Sequence, residues 1–97
     1  MFARLASFEG GNVEELRRMN EERRAGEGTG MPEGIRRIMV LNDKDANRRL
    51  FVAFFDTREE LDAAQAGFES MGDDVPEDVR GRRTSVDVYE VLYDGEP

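Results

Sequence analysis

The chain of 97 residues contains no histidine, no cysteine and no tryptophan. Without cysteine there is no disulfide to staple a small fold, and no zinc site of the Cys/His type. Without histidine, serine nucleophile chemistry lacks its base. Lysine is nearly missing too, with Lys44 the only one among fourteen basic residues. No apolar run approaches the ~20 residues of a helical membrane span. Arg4, Ser7 and Glu9 interrupt the apolar core that a secretory signal needs. The expected location is therefore the cytoplasm, which the lack of cysteine also fits.

Positive charge is in deficit overall. A formal net charge of −8 argues against broad affinity for nucleic acid or for anionic membrane surfaces. Arginines cluster locally at Arg17/Arg18, Arg23/Arg24, Arg36/Arg37 and Arg80-Gly81-Arg82-Arg83. They read as solvated faces balanced by neighbouring glutamates. Carboxylates are plentiful, but none stands alone within an apolar run, and Asp56 reads as a strand end. No spacing supports paired-carboxylate hydrolysis or an oxygen-ligand metal site. The expectation is a protein without metal or cofactor.

What is present is a duplication. Asn12-Val13-Glu14-Glu15-Leu16 and Thr57-Arg58-Glu59-Glu60-Leu61 repeat one pattern of cap, any residue, Glu, Glu, Leu. Asn12 and Thr57 are N-cap residues, with Glu15 and Glu60 placed to reach back to the cap amides. Each motif opens a helix lying between two strand-like runs. The first strand spans 2–8, with Phe2, Arg4, Ala6 and Phe8 on one face. Gly10-Gly11 ends it. The first helix runs to about Arg24, with a thin inward stripe of Val13, Leu16, Met19 or Asn20, then Arg23.

A glycine-rich loop over 25–34 follows. Its Gly26-Glu27-Gly28-Thr29-Gly30 looks superficially like a phosphate-binding loop. Such loops follow a strand and open a helix, whereas here a helix precedes and a strand follows. Strands over 35–42 and 49–56 form a hairpin around a polar turn. The second helix carries the stripe Leu61, Ala64, Gln65, Phe68 and Met71, and Gly72 is its natural stop. A short helical turn over 76–79 and a strand over 84–93 complete one domain, residues 1–97.

The third strand, Leu50-Phe51-Val52-Ala53-Phe54-Phe55, is apolar on both sides. A sheet with one wet face alternates polar and apolar residues, so this strand needs cover on both faces. Helices supply one cover. A chain this small gains the other most readily from a second copy.

The order β-α-β-β-α-β with two amphipathic helices predicts an α+β, ferredoxin-like sandwich, an antiparallel sheet with both helices on one face. The stretch from Pro32 to Met71 goes further. Pro-x-Gly-Ile, an apolar strand ending in Leu41-Asn42-Asp43, a short turn, and Leu50-Phe51-Val52-Ala53-Phe54-Phe55-Asp56-Thr57-Arg58-Glu59-Glu60-Leu61 resembles the antibiotic biosynthesis monooxygenase-like proteins of the dimeric α/β-barrel superfamily. The resemblance implies a homodimer of two sheets packed face to face, with a small pocket between sheet and helices in each subunit. It also implies activities among cofactor-free oxygenation of polyphenols or quinols and haem degradation. Those activities lean on combinations of Asn, Trp, His, Tyr and Arg, and this chain lacks Trp and His. What remains is an aromatic-ligand pocket, or a pocket with no chemistry.

Four residues are candidates for ligand binding. Asn20 and Gln65 each lie four positions after the repeated leucine, one turn on along the sheet-facing stripe. An amide donates and accepts, which suits a phenol or carbonyl. The alternative is that both bond nearby backbone or lie at the stripe's wet edge. Arg4 is a cation among aromatics, suited to an anionic or enolate oxygen, or else to a salt bridge. Tyr89 offers a phenolic donor, or packs its ring with the hydroxyl in water, and Tyr93 is read the same way. One of Arg36 and Arg37 is expected to face inward. Phe51, Phe54 and Phe55 read as core or dimer interface. Three functions follow: a homodimer binding an aromatic or quinone-like molecule, a cofactor-independent monooxygenase, or a structural partner-binding dimer.

Overall fold

The computed structural model describes residues 1–25 and 33–96, the side chains of 20, 23–25 and 70–74 lying outside that description. The elements are β1 (Phe2–Glu9), α1 (Val13–Ala25), β2 (Ile35–Asp43), β3 (Arg48–Phe55), α2 (Arg58–Asp74), α3 (Glu77–Arg80) and β4 (Arg82–Glu90). One four-stranded sheet has the order β2-β3-β1-β4, and every neighbouring pair is antiparallel. This is the expected α+β, ferredoxin-like arrangement. The glycine-rich stretch 26–30 and Pro32 lie outside the described residues.

The N-caps form as the duplication implies. Asn12 Oδ1 accepts from the Glu15 amide at 3.1 Å, and Thr57 Oγ1 accepts from the Glu60 amide at 3.1 Å. The reciprocal half differs. The Asn12 amide donates to Val79 O at 2.8 Å, and the Glu15 carboxylate receives Arg18 instead. Glu60 accepts from the Thr57 hydroxyl at 3.2 Å. Helix α2 also runs through Gly72 to Asp74 and ends at Val75 in extended backbone. The last strand stops at Glu90, earlier than its sequence pattern implies, with Val91 N donating to Met1 O at 2.9 Å.

The core lies between the sheet and α2. Ala53, Phe55 and Leu61 are fully buried, with Ala64 and Phe68 beside them. Phe2, Ile35, Phe51 and Val88 pack around this cluster. Phe68 presents its ring edge-to-face to Phe51 (6.4 Å, 73°) and to Phe55 (6.3 Å, 90°), geometries that add to burial. Helix α1 packs against α3. At that corner Gly11 has φ +85°, and a Cβ there would lie 2.5 Å from Val79 O and 2.6 Å from Gly81 N. Only glycine permits this backbone-to-backbone approach.

Two bulges change which side chains face the helices. One lies between Ile35 and Arg37, so Ile35 pairs Phe55 and Arg37 pairs Phe54. Strict alternation back from Ile38 would have turned Arg36 inward. The bulge ejects it instead, and it pairs with Asp56 at 2.7 Å in the open. Arg36 and Arg37 are both exposed, which corrects the expectation that one faces inward. The other bulge separates Ser7 from Phe8, so Phe8 pairs Arg83 and Thr84 is the extra residue.

On the sheet face away from the core, the paired rows are Arg37–Phe54–Ala3–Tyr89, Met39–Val52–Leu5–Asp87, Leu41–Leu50–Ser7–Ser85 and Asp43–Arg48–Glu9–Arg82. On this face β3 is therefore largely apolar, and Met39 and Leu41 of β2 with Ala3 and Leu5 of β1 extend the apolar patch to either side. Leu41 and Tyr89 remain 49% and 57% exposed there. The last row alternates charge across all four strands, with Asp43–Arg48 at 3.0 Å and Glu9–Arg82 at 3.5 Å.

Candidate functional site

Arg4 stands on the core side of β1, opposite Ala53 on one neighbour and Val88 on the other. It is only 3% exposed. Its Nε donates to Gln65 Oε1 at 2.7 Å. Its guanidinium carbon lies 4.4 Å from the centroid of the Phe68 ring, within cation–π range. Gln65 and Phe68 lie three positions apart on α2, so they present to the sheet together. The small side chains of Ala53, Ala6 and Ala64, all buried, leave room for the long arginine between strand and helix.

The partners of Arg4 are a neutral amide oxygen and a π-face. Among the described residues its two terminal nitrogens have no hydrogen-bond partner, and no carboxylate bonds to it. Burying a cation without a paired anion is costly. Burial lowers the Arg4 pKa, the nearby Arg83 lowers it further, and Glu69 opposes them. Glu69 lies one turn beyond Gln65 and accepts from Arg83 Nη1 at 2.7 Å. That hydrogen bond holds the Glu69 carboxyl below the usual carboxylate range, with the charges of Arg83, Arg4 and Arg80 acting in the same direction. Such clusters of perturbed groups concentrate at functional sites.

The sequence-derived candidates fare differently. Arg4 and Gln65 come together in one direct bond, neither in an acid salt bridge nor at a wet edge. The side chain of Asn20 lies outside the described residues, as do those of Arg23 and Met71. Tyr89 stands opposite Ala3, on the sheet face away from Arg4, and is mostly exposed. Tyr93 is exposed beyond β4, its hydroxyl donating to Glu96 O at 2.6 Å. Sequence reasoning missed Glu69 and Arg83. Glu69 had a readable signal, four residues after Gln65. Arg83 had none, because strict alternation from Val86 and Val88 puts it on the other face, and the bulge at Thr84 reverses that.

A second polar group lies at the far end of the sheet. Arg49 is 5% exposed. It donates to Gly10 O and, through Nη1, to Asn42 Oδ1 and Asn47 Oδ1, both at 3.3 Å. Its Nε is buried and has no hydrogen-bond partner among the described residues. These bonds tie the β2–β3 turn to the end of β1, which is a structural role. Nearby, a half-open cleft of about 420 Å³ lies at this end of the sheet, lined from one face by Ser7, Leu41 and Leu50 and from the other by Phe8, Asn42 and Arg49.

Among the described residues, no group of three or more Asp or Glu side chains is placed to hold a metal ion. No described helix is long and apolar enough to cross a membrane. No known protein family matches the sequence, and no curated protein matches it. A solved structure does: Rv0793 from Mycobacterium tuberculosis superposes with a TM-score of 0.62 at 18% identity, covering 98% of this chain and 98% of that one. The likeness concerns the fold over its whole length.

Proposed function

We propose that the chain is a small-molecule-binding homodimer, similar to the antibiotic biosynthesis monooxygenase-like proteins, with a site for an aromatic or quinone-like ligand beneath α2. The observation that carries this reading is Arg4, buried between β1 and α2 with Gln65 and the Phe68 ring as its only direct partners among the described residues. A guanidinium and a neighbouring amide supply directional donors, the Phe68 ring lies against the guanidinium, and Phe2, Phe51 and Phe55 belong to the apolar cluster around Phe68. That pairing of few polar groups with aromatic walls suits a flat molecule bearing a phenolic or carbonyl oxygen. The homodimer reading rests on the uncovered apolar rows of the sheet, which a second copy would close.

The test is a thermal-shift screen of phenols, hydroxynaphthalenes and quinones. At least one is expected to raise the melting temperature, and the rise is expected to vanish in Gln65→Leu. A flat response across the whole set removes the ligand and leaves a structural, partner-binding dimer.

A second reading is catalytic. Donors aimed at one oxygen would stabilise an oxyanion developing on a quinol or anthrol as its carbanion reduces dioxygen. Arg4 and Gln65 are the residues that favour it. Oxygen uptake with hydroquinone or anthrol substrates is the measurement. Turnover unchanged in Arg4→Ala and Gln65→Ala would remove both residues from that role.

A further inference from the structure

Resting on the ligand-binding reading above, we infer that the ligand of the Arg4 site is an anion, and that the Glu69–Arg83 ion pair sets how strongly the site attracts it. The charge arrangement carries the inference. Around Glu69 lie three arginines, Arg83 bonded to it and Arg4 and Arg80 close enough to act on its charge. Three cations thus share one carboxylate, in a chain whose net charge is −8. The carboxylate is already engaged by Arg83, at 2.7 Å. Arg4 feels that carboxylate only at a distance, and among the described residues its direct partners are neutral, the Gln65 amide oxygen and the Phe68 ring.

Arg83 is brought to this face by the bulge at Thr84. Its hold on Glu69 draws the carboxylate away from Arg4, whose Nη atoms then offer a bidentate seat for an ionised oxygen. The Phe68 ring beside the guanidinium favours a planar body on that oxygen. A phenolate, an enolate or an aryl carboxylate has this chemistry. A neutral aromatic of the same shape forgoes the charge-assisted bonds.

The experiment titrates 2-naphthoate and its neutral isostere 2-naphthamide into the wild type, Glu69→Gln and Arg83→Gln at low ionic strength, by calorimetry. Wild type is expected to bind the naphthoate at least about tenfold more tightly than the amide. Both substitutions break the same ion pair, yet they are expected to act in opposite directions. Glu69→Gln removes the internal anion and raises naphthoate affinity about tenfold. Arg83→Gln frees Glu69 to turn onto Arg4 and lowers it about tenfold. Amide affinity stays level in all three proteins.

A pair that only tethers α2 to β4 would move naphthoate binding the same way in both variants, which overturns the inference. Equal binding of naphthoate and amide by the wild type overturns it without recourse to any variant. In that case, or if only neutral quinones bind, the ligand-binding reading survives and its anionic form does not. No binding by any aromatic removes both.

Discussion

Phe68 is where the core and the candidate site meet. One of its ring faces contacts Arg4, and the ring forms edge-to-face pairs with Phe51 and Phe55. Gln65, one turn earlier, is the sole hydrogen-bond acceptor for the buried Arg4 Nε among the described residues. Gln65→Leu strands that donor, and an orphaned buried polar group costs about 1–3 kcal/mol. Urea unfolding is expected to show a loss in that range. Glu69 gives a pH signature. Its folded-state pKa is depressed by the Arg83 hydrogen bond, so its contribution is complete above the unfolded value, about 4.3. The contribution is lost as pH falls through the folded value. The pair is largely exposed, so wild type should melt only about 2 °C above Glu69→Gln at pH 7. The two melting temperatures should converge as pH falls through that folded value. At this scale the sequence showed Arg4 and Gln65, because strand alternation and helical spacing are local. It hid Arg36 and Arg83, because a bulge inserts one residue and inverts the alternation beyond it.

At the scale of elements, both long helices start where their caps dictate. Thr57→Ala removes the acceptor of the Glu60 amide and is expected to cost about 1 kcal/mol, read as a shift in the urea midpoint with unchanged slope. The duplication was legible because a cap is written in four or five consecutive residues. Helix ends were less so. Gly72 is a good stop in isolation, yet α2 continues two residues past it. The amide of Asn12 found a tertiary acceptor in α3, a partner sixty-seven positions away that no local pattern announces. The same corner makes Gly11→Ala severe. The added Cβ meets the backbone of α3 and Gly81 at a positive φ, and the expected cost is about 2 kcal/mol or more. Chemical denaturation of this variant against wild type checks it. Little change would mean that the β1–α1 connection and α3 separate easily.

At the scale of the whole molecule, the two-sided character of β3 was legible and has a structural counterpart. Its core-side residues Ala53 and Phe55 are fully buried in the cluster with α2, while Phe54, Val52 and Leu50 look out on a face that, among the described residues, carries no helix. Leu41, half-exposed on that face, is the place to test closure by a second copy. Sedimentation velocity at about 100 µM is expected to show a wild-type dimer. Leu41→Arg should weaken it at least tenfold while leaving the circular dichroism unchanged, since a charge at an interface core is poorly tolerated. A monomeric wild type at that concentration would leave the apolar rows without an occupant. The deciding question for function is whether the guanidinium beneath α2 meets a ligand. The Arg4 Nε–H resonance, followed by nitrogen-15 NMR during titration with a hydroxynaphthoquinone, reads that contact at the atom concerned. A saturable shift at this resonance, absent in Gln65→Leu, is the predicted result. A resonance that stays fixed while the compound perturbs other parts of the protein would contradict it.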